Sequence, residues 1–441
     1  MKILFISLGC DKNLVDAEEM LGLLRRENYE FTDDETQAEV IIVNTCCFVG
    51  DAKEESIETI LQMAAYKESG SLKALLVTGC LAQRYKEEII REIPEVDAVL
   101  GTSSYDKIAE AIKVCLQGQR YEVYETLERL IVKEEDRVLT TGGYYAYLKI
   151  AEGCDKCCTY CIIPKVRGRY RSVPMEEVVA SAKRLADKGV KELILVAQET
   201  TVYGVDLVGK KLLPQLLREL CKISGFVFIR LLYCYPEEIT DELIEVMRTE
   251  PKICHYIDMP IQHANDRILK LMGRRTCKQE LKDVVKRLRE AIPDIVIRTT
   301  LITGFPTETR KEHEELMAFV DEMCFERLGV FTYSPEEDTP AEQMEGQIPE
   351  EEKERRRGEL MTLQQEIAFD NGVDMVGREL LVLIEGKLVE EDVYIGRTYM
   401  DAPNVDGSIF VASQAELLTG DVVKVVVTGA KEYDLIGEII P

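Results

Sequence analysis

The chain has 441 residues, and at about 150 residues per domain it has room for two to four domains, each with a sizeable core. Hydrophobic residues make up 46% and charged residues 31%, with 28 Gly and 14 Pro, which excludes collagen-like and largely disordered classes, and no window approaches the roughly 18 uninterrupted apolar residues of a membrane span. The 55 Lys plus Arg against 81 Asp plus Glu leave a net charge of −26, which repels polyanions at long range and favours a basic partner over bare nucleic acid.

The short apolar run at residues 3–8 is too brief for a signal core and reads as a first buried strand. Apolar, β-rich runs at 3–7, 40–45 and 74–78 alternate with helical patterns at 15–26, 53–66 and 85–92, which predicts a parallel sheet with crossover helices. The first run leads into Leu8-Gly9-Cys10, the second into Cys46 and the third into Gly79-Cys80. Parallel strands present their carboxyl ends on one edge, where open α/β sheets bind ligands, so Cys10, Cys46 and Cys80 can converge.

A second series follows the polar stretch 140–143, with strands expected at 146–150, 192–197, 227–232, 256–259, 296–301 and 328–332. Helical patterns at 176–188, 212–222, 238–248, 278–291 and 311–323 separate most of them. About six βα units are fewer than the eight of a closed barrel, so an open, partial barrel with its chemistry at the strand carboxyl ends is expected. Residues 350–370 read as a charged helix, most simply a solvated connector. From Val376 the pattern changes to short alternating strands at 380–384, 408–411 and 422–428, which predicts a small all-β barrel. The expected domains are 1–139, 140–375 and 376–441.

Fourteen cysteines in a long acidic chain point to a reducing compartment, with the cytoplasm as the default. Cys154, Cys158 and Cys161 stand in CxxxCxxC spacing just beyond the first barrel strand. Three such thiolates can bind three irons of a 4Fe-4S cluster and leave the fourth open to a substrate. Zinc is the competitor, but structural zinc sites have four ligands and no second pair or nearby His follows. Cys47 and Cys157 are extra thiols beside these candidates, while Cys115, Cys221, Cys234, Cys254, Cys277 and Cys324 read as buried structural thiols.

A CxxxCxxC loop at the head of a six-unit βα barrel resembles the radical S-adenosylmethionine enzymes. The N-terminal α/β domain with three separate cysteines and the small C-terminal barrel, then TRAM-like, narrow the resemblance to the methylthiotransferase family, over nearly the whole chain. The resemblance implies two 4Fe-4S clusters and S-adenosylmethionine as cofactors. The barrel cluster would chelate the cofactor's amino and carboxylate groups, and Cys10, Cys46 and Cys80 would hold the second cluster, involved in sulfur transfer. Family members thiolate either an adenosine of tRNA or an aspartate of a ribosomal protein. Ser7-Leu8-Gly9-Cys10-Asp11-Lys12-Asn13, Val196-Ala197-Gln198-Glu199-Thr200-Thr201, Arg230-Leu231-Leu232-Tyr233, and Gly396-Arg397-Thr398 followed by Asp401-Ala402-Pro403-Asn404-Val405-Asp406-Gly407 resemble the ribosomal-protein branch.

That branch implies methylthiolation of the β-carbon of an aspartate in the small-subunit ribosomal protein S-twelve. A 5'-deoxyadenosyl radical would take the hydrogen, a second S-adenosylmethionine would supply the methyl group, and an electron donor would be a further partner. A tRNA adenosine methylthiotransferase and a non-enzymatic iron–sulfur ribosome-binding protein are the alternatives. Where family members commonly carry Glu-Glu-Gly-Thr-Pro, this chain has Glu336-Glu337-Asp338-Thr339-Pro340, which puts that loop's conformation in question.

Residues 376–441 hold five Lys or Arg against twelve Asp or Glu, a net charge of −7, so this module should prefer a basic protein to tRNA, with Glu391, Asp401 and Asp406 near its turns as readers. Gln198 and Glu199, at the end of the second barrel strand, either bind the cofactor's amine or sugar or pack the loop. Arg298 either pairs with the cofactor carboxylate or forms a structural salt bridge. His263 either lines the pocket or is a scaffold histidine, the reading favoured here.

Overall fold

The computed structural model describes residues 1–131, 137–388 and 391–440. Its first layer is a parallel six-stranded sheet of β1 (Lys2–Ser7), β2 (Glu30–Phe31), β3 (Val40–Thr45), β4 (Ala74–Gly79), β5 (Ala98–Leu100) and β6 (Tyr121–Val123), in the order β2-β1-β3-β4-β5-β6. Along β3, Ile41 and Val43 join one apolar cluster while Val40 and Ile42 join the other. Side chains alternate across a sheet covered on both faces, which is why the run reads as continuously apolar. β2, β5 and β6 have three residues or fewer and carry no comparable signal. The first helix runs Asp11–Arg26, four residues longer at its start than its apolar periodicity, because Lys12 and Asn13 are buried polar residues. The pattern at 85–92 resolves into Cys80–Tyr85 and Glu87–Glu92, broken at Lys86 with φ 47°.

The second sheet is parallel and open. It contains β7 (Tyr145–Lys149), β10 (Glu192–Val196), β11 (Phe228–Leu231), β12 (Ile253–Asp258), β13 (Val296–Thr303) and β14 (Arg327–Thr332), in the order β14-β13-β12-β11-β10-β7. The short antiparallel pair β8 (Ala151–Glu152) and β9 (Arg171–Ser172) flanks the cysteine loop. Leu193, Leu195, Ile229, Leu231 and Ile297 pack outward against the helices. Ile194, Val196, Phe228, Tyr256 and Val296 face inward and meet Val382, Ile384 and Val411 of the last domain. The C-terminal module thus covers the inner face that a partial barrel would otherwise expose to water.

That module is a closed barrel of β15 (Glu379–Lys387), β16 (Val393–Arg397), β17 (Ile409–Ala412), β18 (Val422–Lys431) and β19 (Asp434–Ile439), in the order β15-β16-β17-β19-β18. Closure leaves no strand edge unpaired. No helix among the described residues is long and apolar enough to cross a membrane.

Three expectations are corrected. The helix Glu350–Val373 is no solvated connector: Lys353, Arg356, Leu360, Gln364 and Ile367 are buried. The Lys353 Nζ donates to the Tyr333 carbonyl at 2.8 Å, Arg356 Nη1 to the Glu308 carbonyl at 3.0 Å and Gln364 Nε2 to the Phe325 carbonyl at 2.9 Å. Charged heads that satisfy backbone acceptors look, in sequence, like a solvated face. Asp401 and Asp406 are not surface readers either. Asp401 is 2% exposed and accepts from Arg327 Nε at 2.9 Å, while Asp406 accepts from Tyr256 Oη at 2.7 Å and Arg298 Nε at 3.2 Å, so both key the small barrel into the large one; Glu391 is exposed, as expected. Of the six single cysteines, Cys115, Cys234 and Cys254 are buried, but Cys221 and Cys277 are half-buried and Cys324 is exposed at a helix C-terminus with φ 46°. Asp338 has φ 66°, so it holds the left-handed conformation for which the family's glycine is suited.

Candidate functional site

The register of the first sheet aligns its exits. Ser7 pairs with Asn44, and Thr45 with Gly79, so Cys10, Cys46 and Cys80 leave the same edge. Asn13 staples two of these turns, its Nδ2 donating to the Leu8 carbonyl at 2.9 Å and to the Thr45 carbonyl at 2.8 Å. Gly9 has φ 87°, and a Cβ there would stand 2.9 Å from Cys46 Sγ. Only glycine lets the Cys10 turn approach Cys46 so closely. The three thiols are electrostatic neighbours. Cys80 is held by Arg167, whose Nε donates to Cys80 Sγ at 3.3 Å. Cys47 is buried in the same apolar cluster as Cys80, beside Ile41 and Val77, and within electrostatic reach of Cys80 and Cys46, so its thiol stays close to the triad.

The second triad sits on the loop after β7 and β8. Gly153 has φ 83°, and a Cβ there would fall 2.1 Å from the Arg169 carbonyl oxygen. Its N–H donates to Gln198 Oε1 at 2.8 Å, and the Cys154 N–H donates to the Gly168 carbonyl at 3.1 Å. Cys161 N–H donates to the Cys158 carbonyl at 3.0 Å, and the thiols of Cys154, Cys158 and Cys161 interact electrostatically. Cys157 is exposed with φ 54°, and its thiol is also an electrostatic neighbour of Cys161.

Burial pushes the Cys46 thiol up to about 12 and the Cys154 thiol up to about 11, and it raises those of Cys80 and Cys161 as well. Such thiols stay protonated unless a cation compensates the thiolate, and sulfur donors suit iron clusters or zinc. Among the described residues, no three His, Cys, Asp or Glu side chains are drawn around a single ion. Thiolates on a cubane bind separate irons, so both triads fit an iron–sulfur group by donor type, with Cys46, Cys80, Cys154 and Cys158 buried, Cys161 half-buried and Cys10 exposed.

Lys156 extends from the same loop to Glu237 at 3.0 Å, Glu238 at 2.6 Å and Glu199 at 3.4 Å. Burial pushes the Glu199 carboxyl up to about 7, with Lys156 pulling it down. Gln198 spends both ends of its amide on the loop, its Nε2 donating to Glu152 Oε1 at 2.6 Å. Gln198 and Glu199 therefore pack the cysteine loop. His263 is fully buried and accepts from the Asn265 N–H at 2.9 Å, the scaffold role favoured from sequence. Arg298 makes structural salt bridges to Asp258 at 2.8 Å and Asp406 at 3.2 Å. Its Nη2 makes no hydrogen bond among the described residues.

A cavity of about 390 Å³ lies where all three domains meet. Cys10 and Asp11 line it from the first domain, Tyr233, Asp258 and Arg298 from the second, and Asn404 from the third. The Lys12 ammonium stands 2.9 Å from Asp11 and 3.3 Å above the Tyr233 ring, tying together two of the lining residues. Sequence reasoning did not single out Asp11, Tyr233, Asn404, Lys156 or Arg167 as site residues. Asp11 and Tyr233 lie in quoted motifs, and Arg167 follows Cys161 by one short helix, but spacing alone carries no sign of contact across domains.

Residues 2–101 match the uncharacterized protein family UPF0004, residues 148–320 the radical SAM superfamily and residues 376–440 the TRAM domain. Among curated proteins, the ribosomal protein uS12 methylthiotransferase RimO of Lachnoclostridium phytofermentans is 65% identical over 437 residues, covering 99% of each chain. The proteins of that name from Thermoanaerobacter sp. and Clostridioides difficile are 50% and 49% identical, covering 98% of both chains and 100% and 99%, respectively. Among solved structures, the radical S-adenosylmethionine methyltransferase TsrM from Kitasatospora setae, with cobalamin and a [4Fe-4S] cluster bound, superposes with a TM-score of 0.55 at 14% identity, over 77% of this chain and 76% of that one. The cobalamin-dependent S-adenosylmethionine radical enzyme OxsB gives 0.54 at 14% identity, over 77% and 54%. At such identities the likeness is one of fold.

Proposed function

This chain belongs to the RimO family of ribosomal protein uS12 methylthiotransferases, and we propose on that footing that it attaches a methylthio group to the β-carbon of an aspartate of ribosomal protein uS12. Cys154, Cys158 and Cys161 hold one 4Fe-4S cluster together with S-adenosylmethionine, and Cys10, Cys46 and Cys80 hold a second. When bound, these groups supply a carbon-centred radical able to take an unactivated C–H hydrogen, and the sulfur that replaces it. The working division is residues 1–139 for the second cluster, 140–375 for the radical-forming barrel and 376–441 for the TRAM barrel.

The chain's own residues bind, orient and exclude water. Gln198 fixes the cysteine loop through Gly153, and Glu199 anchors it through Lys156, so both serve the cofactor indirectly. Arg298 offers its remaining nitrogen, Nη2, at the cavity wall, where a guanidinium suits the carboxylate of the target aspartate. The Lys12, Asp11 and Tyr233 cluster excludes water beside Cys10. The substrate places this work at the ribosome, in the cytoplasm, with a separate electron donor.

The observation that carries the reading is the three-domain cavity, in which Cys10 faces the ends of the barrel strands. Reconstituted protein, S-adenosylmethionine and a reductant should add one methylthio group to a single aspartate of purified uS12, read by mass spectrometry, and leave tRNA unchanged. Modification of tRNA alone would replace this reading with the adenosine-modifying one. Absence of cofactor cleavage would leave a non-enzymatic iron–sulfur protein.

A further inference from the structure

Arg167 is 2% exposed and ends the short helix Ile163–Arg167, which begins two residues after Cys161. Its guanidinium crosses into the first domain. The Nε donates to Cys80 Sγ at 3.3 Å, Nη1 to Asp16 Oδ2 at 2.6 Å and to Glu152 Oε2 at 3.3 Å, and Nη2 to Asn13 Oδ1. Asn13 is the residue that staples the Cys10 and Cys46 turns. The next residue, Gly168, accepts the Cys154 N–H at 3.1 Å. One stretch of chain, 154–167, therefore carries the whole barrel triad and ends on the donor to a member of the other triad.

Burying a guanidinium is costly unless each edge is paired, and here Asp16, Glu152 and Asn13 take two nitrogens while the third is aimed at sulfur. The planar fork fixes the direction of Nε–H, which lysine could not do. We propose that Arg167 is a positioning residue for the N-terminal triad. Its Nε–H stabilises the electron-rich sulfur of Cys80 and makes the iron–sulfur group held there easier to reduce, and its attachment to the barrel loop keeps the two triads in one register. Hydrogen bonds to ligand sulfurs are a recognised determinant of cluster potential, and donors bearing charge act most strongly. The inference rests on the reading that Cys10, Cys46 and Cys80 hold such a group.

The test uses the full-length chain with Cys154, Cys158 and Cys161 replaced by alanine, reconstituted anaerobically, so that only the N-terminal group reports. Iron and sulfide are assayed first. If this protein carries neither, the cluster reading fails and the inference falls with it. If it carries both, Arg167→Gln, Arg167→Lys and the control Arg137→Gln are compared by spectroelectrochemistry and by the electron paramagnetic resonance of the reduced state. Arg137 pairs with Glu18 in the same domain interface and is hydrogen-bonded to no cysteine among the described residues. Arg167→Gln should lower the ratio of reduced to oxidised cluster roughly tenfold at a fixed potential, equivalent to about 59 mV for one electron. Arg167→Lys should fall between, and Arg137→Gln should match the parent. If Arg167→Gln loses its iron while Arg137→Gln keeps it, the positioning role stands and Arg167→Lys carries the comparison of potentials. Parent-like potentials and spectra in both Arg167 variants, with iron intact, would overturn the proposal and leave the cluster assignment untouched.

Discussion

Replacing Asp401 by alanine tests whether the C-terminal barrel is keyed into the central one. Asp401 Oδ1 accepts from Arg327 Nε at 2.9 Å and Nη2 at 2.5 Å, and Oδ2 accepts from Thr398 Oγ1 at 3.1 Å, with both partners of the ion pair buried. Without the carboxylate, the hydrogen bond left to Arg327 among the described residues is to the Glu326 carbonyl, at 2.9 Å, with Asp406 as a remaining electrostatic partner. Breaking a buried pair from one side costs about 3–5 kcal/mol, because the surviving charge stays desolvated. At about 2–4 °C per kcal/mol for a unit of 150–250 residues, Tm should fall by about 6–20 °C. Removing both members, as Asp401→Ala with Arg327→Met, should recover at least about 1 kcal/mol of the sum of the single losses, the coupling expected of contacting groups. Thermal unfolding followed by circular dichroism, with limited proteolysis to show whether the barrel detaches, reads all three proteins. Single losses below about 1 kcal/mol that simply add would refute the argument and return Asp401 to the surface role suggested by its sequence context.

Cys157→Ala should retain iron and reductive cleavage of S-adenosylmethionine, whereas alanine at Cys154, Cys158 or Cys161 should abolish 5'-deoxyadenosine formation, measured by chromatography. Gly153→Ala should also cut iron loading of the barrel site without unfolding the chain, since its Cβ would fall 2.1 Å from the Arg169 carbonyl oxygen. Glu312, held down to about 2 chiefly by its hydrogen bonds from Arg267, contributes stability that is present above its ordinary value of 4.5 and is lost as pH falls toward about 2. Glu312→Gln should therefore lower Tm at neutral pH, and the two Tm curves should converge as acid titrates the wild type; a constant gap down to pH 2 would contradict this.

Much of the architecture was legible because parallel strands buried on both faces write long apolar runs. Every barrel strand expected from such a run is present, shifted by three residues or fewer at either end. What escaped was either too short to show a period, as with β2, β5 and β6, or alternated too weakly between turns, as with β16 and β19. The exit of Cys10, Cys46 and Cys80 on one edge was legible from the parallel sheet, and the grouping of Cys154, Cys158 and Cys161 on one loop from their spacing. The contacts made across domains were not. Asp401 and Asp406 look like acidic turn residues until Arg327 and Arg298 are placed opposite them, and the helix Glu350–Val373 looks solvated until its cations meet the backbone carbonyls of Tyr333 and Glu308. Charge in a sequence signals exposure only when no buried partner lies far along the chain, and the Asp401–Arg327 and Glu18–Arg137 pairs are both of that distant kind.

The central claim is that two separate thiol triads hold two groups with different tasks, one forming the radical and one supplying sulfur. It is tested most directly by replacing Cys10, Cys46 and Cys80 together and measuring, on the same sample, iron per chain, 5'-deoxyadenosine formation and methylthiolation of uS12. Iron should fall from about eight to about four atoms per chain, on a cubane count, cofactor cleavage should persist and methylthiolation should vanish. A triple variant that still methylthiolated uS12, or one that kept all its iron, would contradict the account.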